Sequence, residues 1–247
     1  MKNPIKSTYK RINSLIYYGA LLIKIGSFRA FWHQFKRQIY SRFTEVGFSL
    51  DIQKIEIPHI KAEIDYTLKL ASNEDMKDIL EQAKSESKKM VHKLLFRKML
   101  YDDGYHNCYI ARTTDTNEIC SLTFTIYSWD DESAGGRFRS LFPRLKENEA
   151  VLEGVYTFEK LRGNRLHNSI LAEQIRDCQK KGIKNIRIYI EKSNATSMKA
   201  AEKMGFKRFE EVDGRRLLFR TSTRFSPIRQ DENMADSGDS FQRQGEA

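Results

Sequence analysis

The segment LRGNRLHNSIL, residues 161–171, sets Arg162 and Arg165 beside glycine and asparagine at the start of an apolar-periodic run. A loop that opens a helix presents unpaired backbone N–H groups and the positive end of the helix dipole, and two guanidinium groups add full charge there. The pattern suits a phosphate. Just upstream, the apolar run AVLEGVYTF, residues 150–158, carries one carboxylate, Glu153, with Glu149 at its edge. A carboxylate inside such a run faces a solvated cleft, pairs with a cation, or moves a proton, so Glu153 is the first general-base candidate and Glu149 the second. His33, His59, His92 and His106 share no metal-ligand spacing with Cys108, Cys120 and Cys178, and no metal site is expected.

The elements that position these groups follow from periodicity. Ala62, Ile64, Tyr66, Leu68 and Leu70 alternate with polar residues, which predicts a half-buried strand. Ser72 and Asp75 form a capping box ahead of one or two helices marked by Met76, Ile79, Leu80, Ala83, Met90, Val91, Leu94 and Leu95. Two strands, 108–112 and 119–127, flank the turn TTDTNE as a hairpin. The stretch 128–149 has no period, and its Gly135-Gly136 pair predicts a mobile loop. A buried strand over 150–158 then leads through the basic loop into a helix with Leu166, Ile170, Leu171, Ile175 and Cys178 inward, stopped by Gly182. A strand with Ile186, Ile188 and Ile190, a short helix over 197–203, and strands 206–212 and 216–221 around an Asp213-Gly214 turn complete the order. Strands and helices in this sequence argue for a mixed α/β sheet.

The 247 residues carry a net charge of +10, unevenly placed. Residues 1–50 hold nine Lys or Arg against Glu45 alone, while residues 229–247 hold two Arg against five acids. Most of the basicity is therefore N-terminal, which argues against a nucleic-acid surface on the core. Residues 1–50 read as a basic amphipathic helical extension, with Leu15, Tyr18, Leu22 and Ile25, then Phe28, Phe31, Phe35 and Ile39 among basic residues. Such an extension packs on its own domain, lies on an anionic membrane surface, or meets a partner. The run 12–23 is too short to span a bilayer. Three cysteines without CxxC spacing fit a reducing, cytoplasmic setting. The expected organisation is an extension over 1–50, a catalytic domain over 51–225 and a disordered acidic tail over 226–247.

The element order and two motifs resemble the GCN5-related N-acetyltransferases, the GNAT superfamily, over roughly residues 62–221. In that family a loop of Arg or Gln, two residues, Gly, one residue, then Gly or Ala wraps the pyrophosphate of acetyl-CoA. Here Arg162, Gly163 and Asn164 fit its first positions, while Arg165 and His167 stand where glycines are expected. Loss of both glycines should narrow the loop or change its path. The second motif, NATSMKAAEKMGF over 194–206, resembles the family's late helix, with Asn194, Ser197, Gly205 and Phe206 in place. Ala201 stands where many members have a tyrosine that protonates the departing thiolate.

The resemblance implies a GNAT-like, mostly antiparallel mixed sheet flanked by helices, with acetyl-CoA as cofactor. It implies that two strands diverge where the pantetheine arm enters, so that Val155, Tyr156 and Thr157 offer backbone to it. Arg162, Gly163, Asn164, Arg165, Leu166 and His167 would surround the pyrophosphate, and Asn194 and Ser197 would complete the cofactor site. Glu153 or Glu149 would take the acceptor's proton, with Tyr189 a topological candidate for the missing donor. The acceptor would be a primary amine of a small molecule or amino sugar. Two other readings stand beside this one. Loss of the loop glycines and the tyrosine also suits a GNAT-shaped binding module without activity, and the basic, aromatic N-terminal segment also suits nucleic acid.

Overall fold

The structure is a computed structural model that describes residues 20, 36, 40–53, 55–130, 138–217 and 220–228. Its described strands are β1 (Tyr40–Asp51), β2 (Tyr66–Leu70), β3 (Cys108–Thr113), β4 (Ile119–Tyr127), β5 (Glu149–Thr157), β6 (Asn185–Glu191), β7 (Lys207–Leu217) and β8 (Arg220–Pro227). The α-helices described in full beside them are α1 (Asn73–Gln82), α2 (Lys88–Asp102), α3 (Leu166–Lys180) and α4 (Ala195–Lys203). The strands form one sheet in the order β2-β3-β4-β5-β6-β1-β7-β8, antiparallel except for a short parallel step between β5 and β6.

Each face of the sheet buries its own core. On one face Met76 and Ile79 of α1 and Leu94 of α2 cluster with Ile110, Leu122, Phe124 and Val151. On the other, Leu171, Ile175 and Cys178 of α3 and Ala201 of α4 cluster with Val46, Phe48, Leu50, Ala150 and Leu152. The strand period of two explains how Val151 and Leu152, adjacent in sequence, serve opposite cores. The start of α1 matches expectation: Ser72 accepts from the Asp75 N–H at 3.2 Å and its own N–H donates to Asp75 Oδ2 at 2.9 Å.

The structure corrects several expectations. Residues 40–51 are not helical but form the longest strand, β1, inserted between β6 and β7. Its Phe, Thr and Val content suits a pleated surface, and Val46, Phe48 and Leu50 alternate into the α3 core. The remainder of the expected basic helix, apart from residues 20 and 36, lies outside the described residues. Strand β2 begins at Tyr66, later than the alternation from Ala62 predicts.

Asp213 and Gly214 are not a turn; both lie within β7, where a Cβ on Gly214 would come within 1.9 Å of the Phe43 ring on β1. Glycine there makes room for an aromatic ring crossing the strand. The connection between β7 and β8 falls at residues 218–219, outside the described residues. Ser226 and Pro227 belong to β8, and the rest of the expected acidic tail from residue 229 is also outside them. In the predicted mobile loop, Phe138 and Phe142 are buried, the first edge-on to Phe96 at 5.4 Å and the second to Tyr105 at 5.5 Å. Residues 131–137, which include the glycine pair, lie outside the described set.

Candidate active site

The parallel step between β5 and β6 covers Glu149–Val151 opposite Asn185–Arg187, and beyond it the two strands pair no further. Strand β5 continues to Thr157 on its β4 side. Its other edge, from Leu152 onward, therefore has no strand partner among the described residues. Backbone groups on such an edge need water or a ligand. At its end the Thr157 Oγ1 is buried with no hydrogen-bond partner among the described residues. An extended chain bearing amides, such as a pantetheine arm, fits this unpaired edge and orphaned hydroxyl. Val155 lies on the same strand.

Glu153 sits at the start of the opening, on the face that carries Val151 and the α1/α2 core. It makes no hydrogen bond or ion pair with described residues, and the charge that acts on it is that of Arg97 on α2. Burial raises its pKa and the Arg97 charge opposes the rise. A carboxylate so placed takes up a proton more readily than an ordinary one, as a general base requires.

Glu149 is in a different situation. Its Oε1 accepts from Arg187 Nη2 at 2.7 Å and its Oε2 from the Lys146 backbone N–H at 3.0 Å. Both oxygens are committed to bracing the loop against the parallel step, so the geometry does not bring Glu149 together with Glu153 as a second base. Tyr189 is likewise engaged: its hydroxyl donates to Glu210 Oε1 at 2.6 Å. Burial, with that bond, holds its phenol pKa well above the ordinary range. A donor held this way is poorly suited to give its proton to a thiolate.

Tyr156 points its ring toward α2. Its hydroxyl donates to Glu86 and its ring lies 5.3 Å from the Arg97 guanidinium and 5.9 Å from that of Arg162. Arg162 turns back onto the strand, donating from Nε to the Thr157 carbonyl at 3.1 Å and lying 3.6 Å from Glu159. Arg165 is exposed and makes no bond to described residues. Both loop arginines are exposed, and Arg165 is the one left unbonded by described residues.

The basic loop turns through two left-handed residues, Gly163 and Arg165. Gly163 has φ +89° with open space where a Cβ would stand. Arg165 adopts φ 58° and ψ 8°, the left-handed region, as the residue preceding α3. An expected glycine is replaced by a strained arginine, at a cost of about 1 kcal/mol. Asn164 braces the loop, donating to the Leu161 carbonyl at 3.2 Å while its own carbonyl accepts from Glu63 at 3.0 Å. Leu166 is buried and anchors the first turn of α3; His167 is exposed on that turn. The first-turn N–H groups of α3 have no intrahelical acceptors.

At α4, Asn194 Oδ1 caps the helix by accepting from Ser197 N–H at 3.2 Å. Ala195, Thr196, Lys199, Ala200 and Lys203 line an adjoining open concavity of about 360 Å³. Ala201 faces the core beside Phe206 and Leu171, so that position supplies no donor.

Two residues of the site escape sequence reading. Arg97 is one cation in a helix with several. Glu45, on β1, pairs in register with Glu191 of β6 and so shares its face. Burial, with repulsion from Glu153 and Glu191, raises its carboxyl pKa to about 7. Its one sequence signal is that it is the sole acid among the first fifty residues.

No family model matches the chain, and no curated protein matches it significantly. Solved structures do. A GCN5-related glucosamine N-acetyltransferase region of a fungal multi-domain β-N-acetylglucosaminidase superposes with a TM-score of 0.52 at 12% identity, covering 82% of this chain and 23% of that one. This chain thus spans less than a quarter of that structure's length. A putative GNAT-family acetyltransferase from Novosphingobium aromaticivorans gives 0.45 at 11% identity, covering 76% and 66% of the two chains. A GCN5-related N-acetyltransferase from Sphaerobacter thermophilus gives 0.46 at 10%, covering 80% and 56%. The fold is that of the GCN5-related N-acetyltransferases. Among the described residues no helix is long and apolar enough to cross a membrane.

Proposed function

We propose that this protein is an acetyl-CoA-dependent N-acetyltransferase acting on a primary amine of a small molecule, an amino sugar included. The observation that carries the reading is the unpaired edge of β5, with Glu153 where it opens and the exposed Arg165 and α3 N-terminus where it ends. The first is a place for an extended arm and a base, the second for phosphate. The glucosamine N-acetyltransferase activity stated for the fungal neighbour is in keeping with an amino-sugar acceptor.

The chemistry begins with a protonated amine, whose ordinary pKa of about 10 leaves it unreactive at neutral pH. Glu153 takes one proton from the ammonium, directly or through water. The freed nitrogen forms a bond to the thioester carbonyl carbon, and the C–S bond breaks. The second nitrogen proton reaches the coenzyme thiolate by way of water, since neither Ala201 nor Tyr189 is placed to donate. Glu153 returns its proton to solvent. Replacing Glu153 by Gln is expected to lower kcat by about 10²–10³-fold while acetyl-CoA affinity stays unchanged.

The deciding experiment is calorimetry of acetyl-CoA with the full-length protein, Arg162→Ala and Arg165→Ala. Micromolar binding, weakened about tenfold by Arg165→Ala, supports the reading, a change of about 1.4 kcal/mol. Folded protein without acetyl-CoA binding would transfer the assignment to a GNAT-shaped binding module, as the missing glycines and tyrosine would then indicate. We also propose a peripheral location on an anionic, cytoplasmic membrane face through the basic segment before β1. Co-sedimentation with anionic but not neutral vesicles is the expected result.

A further inference from the structure

The sheet ends unevenly. Strand β6 stops at Glu191, opposite Glu45, and residues 40–44 of β1 run on with β7 as their strand partner. At about 3.3 Å per residue, β1 reaches roughly 16 Å past Glu45. β7 and β8 pair out to Leu217 and Arg220, so three strands project together as a tongue. Because β5 and β6 are parallel and β1 is antiparallel to β6, the tongue leaves the same end of the sheet as the basic loop after β5 and the Asn194 cap after β6.

The outermost rung of the tongue is apolar and the next is basic. Tyr40 and Leu217 stand opposite each other in register, and both are exposed, as few large hydrophobic side chains are among the described residues. Two residues along each strand, on the same face, Arg42 stands opposite Arg215. Both arginines are exposed, and neither makes a hydrogen bond or ion pair with described residues; the Arg215 guanidinium lies 5.7 Å from the Tyr40 ring. Like charges directly opposite each other destabilise a strand pair, so this pair is a place for an anion. The acid on the following rung, Asp213, is already engaged: it accepts from Thr44 Oγ1 at 3.1 Å and stands opposite Arg224 of β8. In sequence the apolar character runs on through Leu217-Leu218-Phe219 between Arg216 and Arg220, and the basic stretch before Tyr40 contains no acid.

Resting on the peripheral-membrane reading, we infer that the end of the β1–β7 pair is the folded domain's own contact with an anionic bilayer: Tyr40 and Leu217 enter the headgroup region while Arg42 and Arg215 hold lipid phosphates. The spacing fits. Two residues along a strand are roughly 7 Å, and interfacial segments place their apolar groups about 5–10 Å into the headgroup boundary. A tyrosine suits that level, with an apolar ring and a polar tip. A nucleic acid would use the arginines but would leave Leu217 in water. Docking by the tongue turns the coenzyme end of the sheet toward the bilayer, whereas a tether through residues 1–39 alone sets no orientation.

The test is flotation of the full-length protein with phosphatidylglycerol-containing vesicles and with neutral phosphatidylcholine vesicles. Wild type is compared with Arg42→Gln/Arg215→Gln, Arg42→Lys/Arg215→Lys and Tyr40→Ser/Leu217→Ser, each checked for an unchanged urea midpoint. The glutamine pair is expected to weaken binding to the anionic vesicles at least tenfold, and the lysine pair to stay within about threefold of wild type. The serine pair weakens it as well, which loss of charge cannot explain. Because Cys108, Cys120 and Cys178 are buried, Leu217→Cys takes a polarity-sensitive thiol dye at one exposed position. Its emission should shift to the blue on anionic vesicles and be quenched by lipids brominated in the acyl chain. Equal binding by wild type and all variants, with no dye response, overturns the inference and leaves the membrane location through residues 1–39 standing. Wild type that ignores anionic vesicles removes both. A dye response to duplex DNA and none to vesicles also overturns the inference, and assigns the arginines to nucleic acid.

Discussion

Arg187 and Glu149 lock the short parallel step between β5 and β6, with Nη2 2.7 Å from Oε1 and side chains only 18% and 9% exposed. The strands part just beyond this pair. The clamp and the opening are therefore two halves of one device, since a sheet that diverges must be held firmly where divergence begins.

Removing one member of a buried pair leaves the other charge without compensation. Glu149→Gln is expected to lower stability by about 3 kcal/mol, measured by urea unfolding, with acetyl-CoA affinity unchanged. The double variant with Arg187→Met should recover part of that loss. A stable Glu149→Gln protein that had lost turnover would instead restore Glu149 as a catalytic candidate.

Glu45 makes stability depend on pH. Its folded pKa of about 7 lies above the ordinary 4.5, so its contribution is complete below about 4.5 and is lost as pH rises through 7. At about 1.36 kcal/mol per unit, the loss approaches 3 kcal/mol. Unfolding measured at pH 5 and pH 8 should show Glu45→Gln gaining on wild type by this order at the higher pH. Parallel curves for the two proteins would contradict the burial of this carboxyl.

The Gly214–Phe43 contact tests the placement of β1 between β6 and β7. A Cβ at Gly214 would lie 1.9 Å from the Phe43 ring, so Gly214→Ala forces the ring or the strand to move. A loss of about 2–3 kcal/mol is expected, with substantial recovery in Gly214→Ala/Phe43→Leu. If Gly214→Ala were neutral, a turn at this position would regain support.

Arg165 carries two opposed effects. Arg165→Gly should raise stability by about 1 kcal/mol by removing left-handed strain, yet weaken acetyl-CoA about tenfold, about 1.4 kcal/mol, by removing the exposed charge. Thermal unfolding and calorimetry on the same sample separate them. A variant with unchanged affinity would relieve Arg165 of any role at the pyrophosphate.

From Tyr66 onward most elements were legible in the sequence because each is specified locally. The Ser72–Asp75 box, the apolar stripe of α3 and the alternating isoleucines of β6 depend on neighbours three, four or two residues away. The basic loop was legible for the same reason. The errors share one origin. Residues 40–51 follow an aromatic and basic stretch that reads through as helix, and their strand character comes from two partners, β6 and β7, more than a hundred residues distant. Asp213-Gly214 has turn chemistry, but its glycine answers a ring on β1 rather than a bend.

The sequence alone determined the order of elements around the site, the phosphate-suited loop and the isolated carboxylate of β5, since these rest on residue type and short spacing. Tertiary structure decided which charges are free. It tied Glu149 to Arg187 and Tyr189 to Glu210, bonded Arg162 back to the Thr157 carbonyl and left Arg165 without such a bond among the described residues, and carried Glu45 into the company of Glu153. Pairing across a sheet joins residues without regard to their separation along the chain, and burial then sets the protonation of what it joins.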